Sequence, residues 1–190
     1  MLSPKYEEIA LREIEAHKDT VFPKHLTDGR ENEVYIRNVI AGWQFEDQMV
    51  ESLSTIGKVS LSGSDKDRKI LVAKKIKKDL DLTLSIGSKT IGIDIQFSNH
   101  IVESGYAVKE WKIKKMTNND LVLIYVRPLE QFLLVHKGLV KDKEPEWLFQ
   151  WSSSVYKFKM LPLYSLPELL EKLHKVLLKS NCDIQPSLNQ

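Results

Sequence analysis

A chain of 190 residues, 42% hydrophobic and 28% charged, is long enough to bury a proper core as one domain of ordinary globular composition. Its formal charge of +2 neither announces nor excludes a nucleic-acid partner, because local patches matter more than the total. The single cysteine, Cys182, excludes an internal disulfide; with no apolar run of membrane-spanning length and no signal-peptide centre in "MLSPKYEEIA", the expectation is a cytoplasmic protein without a membrane partner.

The first predicted element is a helix over residues 4–18. Ser3 can cap it, Pro4 suits the first helical position, and Tyr6, Ile9, Ala10 and Ile14 recur at helical spacing. With the turn-rich "TVFPKHLTDGREN" behind it, this forms an N-terminal helical segment over 1–31 of a single domain, 1–190. A second helix is predicted over 32–56, where Ile36, Val39, Ile40, Trp43, Val50, Leu53 and Ile56 fall on one side; Gly42 is a candidate break and Gly57 the stop.

Strands follow. "KVSLSG" alternates, with Val59 and Leu61 on one face, and "KILVAKKI" extends or pairs with it beyond the polar turn "SGSDKDRK". Residues 79–86 and 90–98 read as two further strands joined by a short turn, and 102–115 as a loop and short helix. "LVLIYV" and "FLLVHK" are apolar strands joined by "RPLE", and "SVYKFKMLPL" alternates. A C-terminal helix is predicted over 165–180, opened by a capping box of Ser165 and Glu168 and burying Leu166, Leu169, Leu170, Leu173 and Leu177. The order predicts an α/β (α+β) fold, a mixed central β-sheet flanked by helices.

Within these strands the stretch "DLDLTLSIGSKTIGIDIQFSN" sets acids among residues that otherwise read as buried. An uncompensated buried carboxylate is costly, so a compensating group is expected. Side chains alternate along a strand: Leu80, Leu82, Leu84 and Ile86 point one way, and Asp79, Asp81, Thr83 and Ser85 the other. In the next strand Ile91, Ile93, Ile95 and Phe97 share one face, and Gly92, Asp94, Gln96 and Ser98 its opposite. Asp81, Asp94 and Gln96 are therefore expected on a polar shelf, with oxygen donors of the kind Mg²⁺ favours.

An Asp on one strand, followed on the next by an acid-x-polar pair, resembles the PD-(D/E)xK nuclease superfamily. The preceding helix in "AGWQFEDQMVESLSTIG" is similar to the one from which these nucleases draw a Glu, with Glu46 the favoured position and Glu51 the fallback. The resemblance covers roughly residues 40–127. It departs from the family's pattern in two places: Gln96 stands where a Lys is usual, and Leu80 where a Pro precedes the first Asp. Gln at that place occurs in the BglII-type restriction endonucleases, to which "IDIQFSN" is similar.

The resemblance implies a restriction-endonuclease-like fold and Mg²⁺-dependent hydrolysis of DNA phosphodiesters. Asp81 and Asp94 would bind the metal, with the Ile95 carbonyl as a further ligand. Gln96 would orient water or contact the phosphate, Glu46 would add a direct or supporting contact, and Lys109 or Lys112 would restore the missing charge. The expected protein is a type II restriction endonuclease working as a homodimer, since cutting both strands of a symmetric site needs two centres. A junction-resolving or recombination nuclease is the variant with the same chemistry. A nuclease-fold module that binds DNA or protein without cutting is the alternative from another class, and a sheet whose acids merely face water is the plainest.

The basic runs "AKKIKKD" and "VKEWKIKK" offer Lys74, Lys75, Lys77, Lys78, Lys109, Lys112, Lys114 and Lys115 to DNA phosphates; a solvated lysine face is the competing reading. Trp147 and Trp151 are expected in core or interface packing rather than base stacking. The five histidines show no metal-ligand spacing, and no phosphate-cradling glycine loop is present.

Overall fold

The computed structural model describes residues 1–23, 27, 29–62, 67–70, 80–100, 105–148, 153–159 and 161–178. The chain divides into two compact units, Met1–Thr55 with Val59–Thr83, and Ile56–Lys58 with Leu84–Gln190.

In the first unit, α1 (Pro4–Ala16) and α2 (Asn32–Leu53) are the main elements. Ser3 occupies the N-cap of α1, but its side chain makes no cap bond; its carbonyl accepts the Tyr6 and Glu7 amides, both at 2.9 Å. Gly42 does not break α2, which runs through it. A glycine costs a helix interior about 1 kcal/mol, and the turns around it recover that by burying Ile40 and Trp43, at 0% and 1% exposure. These two pack with Tyr6, Ala10, Phe22 and Ile36 into one apolar cluster. Strand β1 (Lys58–Leu61) lies beside the start of β2 (Leu82–Ile86): Ser60 Oγ is 2.7 Å from Thr83 Oγ1, and the Ser62 amide donates to the Asp81 carbonyl at 2.8 Å.

In the second unit, β2 continues into β3 (Lys89–Ser98) through a two-residue turn, with Gly87 at φ +61°. A positive φ at the first central position suits the right-handed twist of a hairpin, and glycine adopts it without a steric penalty. Ser85 Oγ and Thr90 Oγ1, 2.7 Å apart, hold the register. Then come β4 (Tyr106–Lys109), α3 (Glu110–Lys115), β5 (Leu121–Val126) and β6 (Gln131–His136). The chain closes with β7 (Glu146–Leu148), β8 (Ser153–Phe158), β9 (Leu163–Tyr164) and α4 (Leu166–Leu178). The main sheet here has the order β2-β3-β5-β6-β9, and β4-β8-β7 form a second, antiparallel sheet.

β3 pairs with β5 in parallel, from Ile93 opposite Leu121 to Ser98 opposite Val126, while β5 and β6 are antiparallel. The sheet is thus mixed, as the chain order predicted, and helix α4 packs against β6 and β9. A parallel pair needs a crossover, and β4 with α3 lie in the one between β3 and β5. The predicted loop over 102–115 therefore contains a strand that its short "YAVK" segment did not signal. The predicted capping box does form: Glu168 accepts the Ser165 amide at 2.8 Å and its hydroxyl at 2.7 Å. Leu169, Leu173 and Leu177 are the residues α4 buries.

Candidate functional site

β2 keeps the predicted alternation, Leu82, Leu84 and Ile86 being buried and Thr83 and Ser85 half-buried. β3 does not. Its edges pair with β2 and β5, and every residue from Ile91 to Ile95 is buried, so both of its faces are covered there. Asp94 is 2% exposed, so the expected polar shelf is closed over and the reading of a water-facing acid does not hold for this residue.

Helix α3 does the covering. Lys112 and Lys115 stand one turn apart, so both reach the same side of the helix, while Ile113 between them is buried. Lys112 Nζ donates to Asp94 Oδ2, and Lys115 Nζ reaches Oδ1 at 3.3 Å. Both lysine side chains are largely withdrawn from water, at 18% and 16% exposure. The Trp111 ring lies within cation–π range of both ammonium groups, 5.8 Å from Lys112 Nζ and 5.1 Å from Lys115 Nζ. Two charge-assisted contacts offset the desolvation that a lone carboxylate would suffer in mid-strand.

Gln96 lies on the same side of β3, and its amide donates to the Ala107 carbonyl of β4 at 2.8 Å. Sequence reasoning gave this amide to water or phosphate; the structure gives it to the backbone leading into α3. Lys109 ends β4 opposite Val155 and is half-buried. Asp120 was not foreseen. It is buried, and accepts the Gly92 amide at 2.7 Å and the Thr117 amide at 2.6 Å, closing the turn that starts β5. An Asp three residues after a Thr, just ahead of an apolar run, is the turn signal that could have found it.

Glu46 and Asp81 belong to the first unit. Glu46 is buried on α2 and accepts Arg68 Nη1 at 2.5 Å. Arg68, with φ +54°, also bonds Asp47, which in turn accepts the Tyr6 hydroxyl. Burial works against the Arg68 charge, but Glu46 and Asp47 outweigh it and raise its pKa. Burial first, and then the bond to Asp47, push the Tyr6 hydroxyl up to about 12. The loop carrying Arg68 read from the sequence as polar turn chemistry, with contact to a duplex as the other reading of it, and Asp47 was not singled out. Asp81 directly precedes β2 and is half-buried, and Glu51 is exposed.

Lys74, Lys75 and the rest of "AKKIKKD", with Trp151 and Cys182, lie outside the described residues. Trp147, expected in packing, is 56% exposed on β7.

Among the described residues no three of His, Cys, Asp and Glu form a group able to hold a metal ion. Asp94 by itself has a fitting chemistry. It is a buried carboxylate whose two oxygens each accept an ammonium group, so it carries the charge and the oxygen donors that a divalent ion takes. It fits as one ligand of such an ion. Also among the described residues, no helix is long and apolar enough to cross a membrane.

The chain matches no model of a known protein family and no curated protein. Among solved structures it is similar to Hjc, a Holliday junction resolvase from the hyperthermophilic archaeon Archaeoglobus fulgidus. The similarity covers 68% of this chain and 98% of that one, at 9% identity and a TM-score of 0.45.

Proposed function

We propose that the chain is a metal-dependent DNA endonuclease with a reacting centre built around Asp94. The observation that carries this reading is a carboxylate 2% exposed in the middle of β3, balanced by two ammonium groups, in an acid-x-Gln pair. Asp81 as second metal ligand and Glu46 as supporting carboxylate enter the proposal from the order of the sequence motif alone. Mg²⁺, when bound, supplies Lewis acidity to the phosphate and acidifies water.

The chain's own residues would do the rest. Asp94 would hold the cation, and Lys112 would face the phosphate charge. In the hydrolysis a water oxygen forms a bond to phosphorus as the bond from phosphorus to the leaving sugar oxygen breaks; the water gives up one proton and the leaving oxygen takes one up. Cutting both strands of a symmetric duplex calls for two such centres, and so for a homodimer. The substrate is either that duplex, as for a type II restriction endonuclease, or branched DNA, as for a junction-resolving nuclease.

Incubation with plasmid and with a synthetic four-way junction, each with Mg²⁺, separates these substrates. Discrete plasmid fragments indicate the first, and paired incisions at the junction the second. Asp94→Asn should abolish either while leaving DNA binding largely intact. Cutting that survives in this variant overturns the assignment.

A second reading is favoured by a specific observation: Asp94 already has two lysine partners and the Gln96 amide is committed to Ala107. On that reading the chain is a nuclease-fold module that binds DNA without cutting it. Its signature is a salt-dependent gel shift that needs no metal, with both substrates left whole.

A further inference from the structure

We propose that the second sheet binds unpaired DNA bases, on an aromatic face led by Trp147 that takes no part in the reacting centre. The inference rests on the reading above only in taking DNA as the partner, and does not need the chain to cut it.

Opposed residues of an antiparallel pair share one face of the sheet. Trp147 of β7 stands opposite Ser154 of β8. Two residues further along β8, Tyr156 stands opposite Val108 of β4, and Tyr106 stands opposite Phe158. Trp147, Tyr156 and Tyr106 therefore form a diagonal row on one face, one ring from each strand. Diagonal neighbours of this kind are roughly 7–8 Å apart. On the opposite face these strands place no aromatic residue, and Glu146 and Lys157 form an ion pair there at 2.7 Å.

Val108 and Phe158, at 0% and 2% exposure, are the buried part of the aromatic face. The row itself is open: Trp147 is 56% exposed, and Tyr156 and Tyr106 are half-buried. A lone exposed apolar residue is ordinary, but here an exposed indole continues into two further rings.

A base offers each ring a flat π-face, whichever base it is. In a duplex the bases stack about 3.4 Å apart, so both faces of each are taken. A row at about twice that step suits bases already unstacked. Charge favours the same occupant. Lys143 is exposed and holds its ammonium 4.8 Å from the Phe158 ring, beside the Tyr106 end of the row. Lys114, at 70% side-chain exposure, is within electrostatic reach of Tyr156. Apart from Lys112 and Lys115, committed to Asp94, residues 105–115, 141–148 and 153–159 carry six lysines against four acids. Rings for the bases and ammonium groups for the phosphates fit a single DNA strand better than an apolar protein face.

The probe is fluorescein-labelled oligo-dT, its binding followed by anisotropy in EDTA so that no cutting intervenes. Trp147→Ala is expected to weaken binding about 10-fold, the loss of one stacked base, while Trp147→Phe, which keeps a ring, stays within about 3-fold. A blunt duplex should bind the wild type and both variants alike. An abasic strand of the same length keeps its phosphates and loses its bases, so it should bind the wild type and Trp147→Ala equally. Lys143→Gln should lower the salt slope for oligo-dT by about 0.7, the loss of one phosphate contact.

Equal affinity of the wild type and Trp147→Ala for oligo-dT overturns the proposal, as does an equal loss on the abasic strand. Sedimentation that shows Trp147→Ala turning a dimer into a monomer, with oligo-dT affinity unchanged, overturns it in favour of a second copy of this chain. A wild type that cuts plasmid or junction but binds oligo-dT no better than Trp147→Ala overturns this inference alone. One that holds oligo-dT through Trp147 and cuts neither substrate overturns the nuclease reading alone.

Discussion

Lys112 and Asp94 form an ion pair between a six-residue helix and the middle of a buried strand, with Lys115 on the second carboxylate oxygen. The carboxylate is 3% exposed as a side chain and each lysine less than a fifth, so solvent screens these contacts weakly.

Asp94→Ala is therefore expected to destabilise the protein by about 3 kcal/mol, because two largely buried ammonium groups lose their shared counter-charge. Urea unfolding measures it. Adding Lys112→Met to Asp94→Ala should recover part of the loss, since the pair is coupled. A single variant as stable as the wild type would show that these groups are solvated in solution.

Tyr6 predicts a loss of stability in strong alkali. Its hydroxyl has a pKa of about 12 in the folded chain against an ordinary value of 10.0. Between these values the unfolded chain gives up the proton and the folded chain keeps it. The contribution of Tyr6 is thus complete below pH 10.0 and is lost as pH rises through about 12. Unfolding free energies of the wild type and Tyr6→Phe should converge over that window. Below it, the variant should be less stable by about 1.5 kcal/mol, the worth of a hydrogen bond to a charged acceptor.

His136 predicts the opposite dependence in weak acid. Burial, followed by the nearby Lys172 charge, lowers its pKa from the ordinary 6.5. The unfolded chain then takes up a proton before the folded chain does, so stability is complete above pH 6.5 and falls as pH drops toward the lower folded value. A His136→Gln variant, unable to take up that proton, should show a flatter pH profile below 6.5. Equal slopes in the two proteins would remove His136 from the account.

Two glycines should differ in tolerance. Gly87, at φ +61°, has nothing within 4 Å of an added Cβ, so Gly87→Ala costs only the left-handed backbone penalty, about 1 kcal/mol. Gly105, at φ +94°, would place that carbon 2.6 Å from the Phe158 carbonyl oxygen. Gly105→Ala must both strain its own backbone and push β4 off β8, at about 3 kcal/mol or more. Thermal unfolding of the two variants should rank them in that order.

Much of the fold follows from local pattern. The alternating residues of β3, the apolar runs of β5 and β6, the leucine spacing of α4 and its Ser165–Glu168 box all have local causes, so they were legible before any contact was known. Gly42 and the "YAVK" strand were not. A single glycine is a small penalty that packing overrides, and a four-residue strand takes its identity from the β8 residues opposite it.

The sequence by itself established that Asp94 sits among apolar neighbours and must be compensated, and that Gln96 shares its side of β3. Only the tertiary structure decided by what. The compensating lysines lie 18 and 21 residues further on, Gln96 is held by Ala107, and Glu46 is met by an arginine 22 residues away. Alternation along a strand says which side chains share a face, because that is geometry within one backbone. What covers the face is set by chain folding back from a distance, and no local period records it.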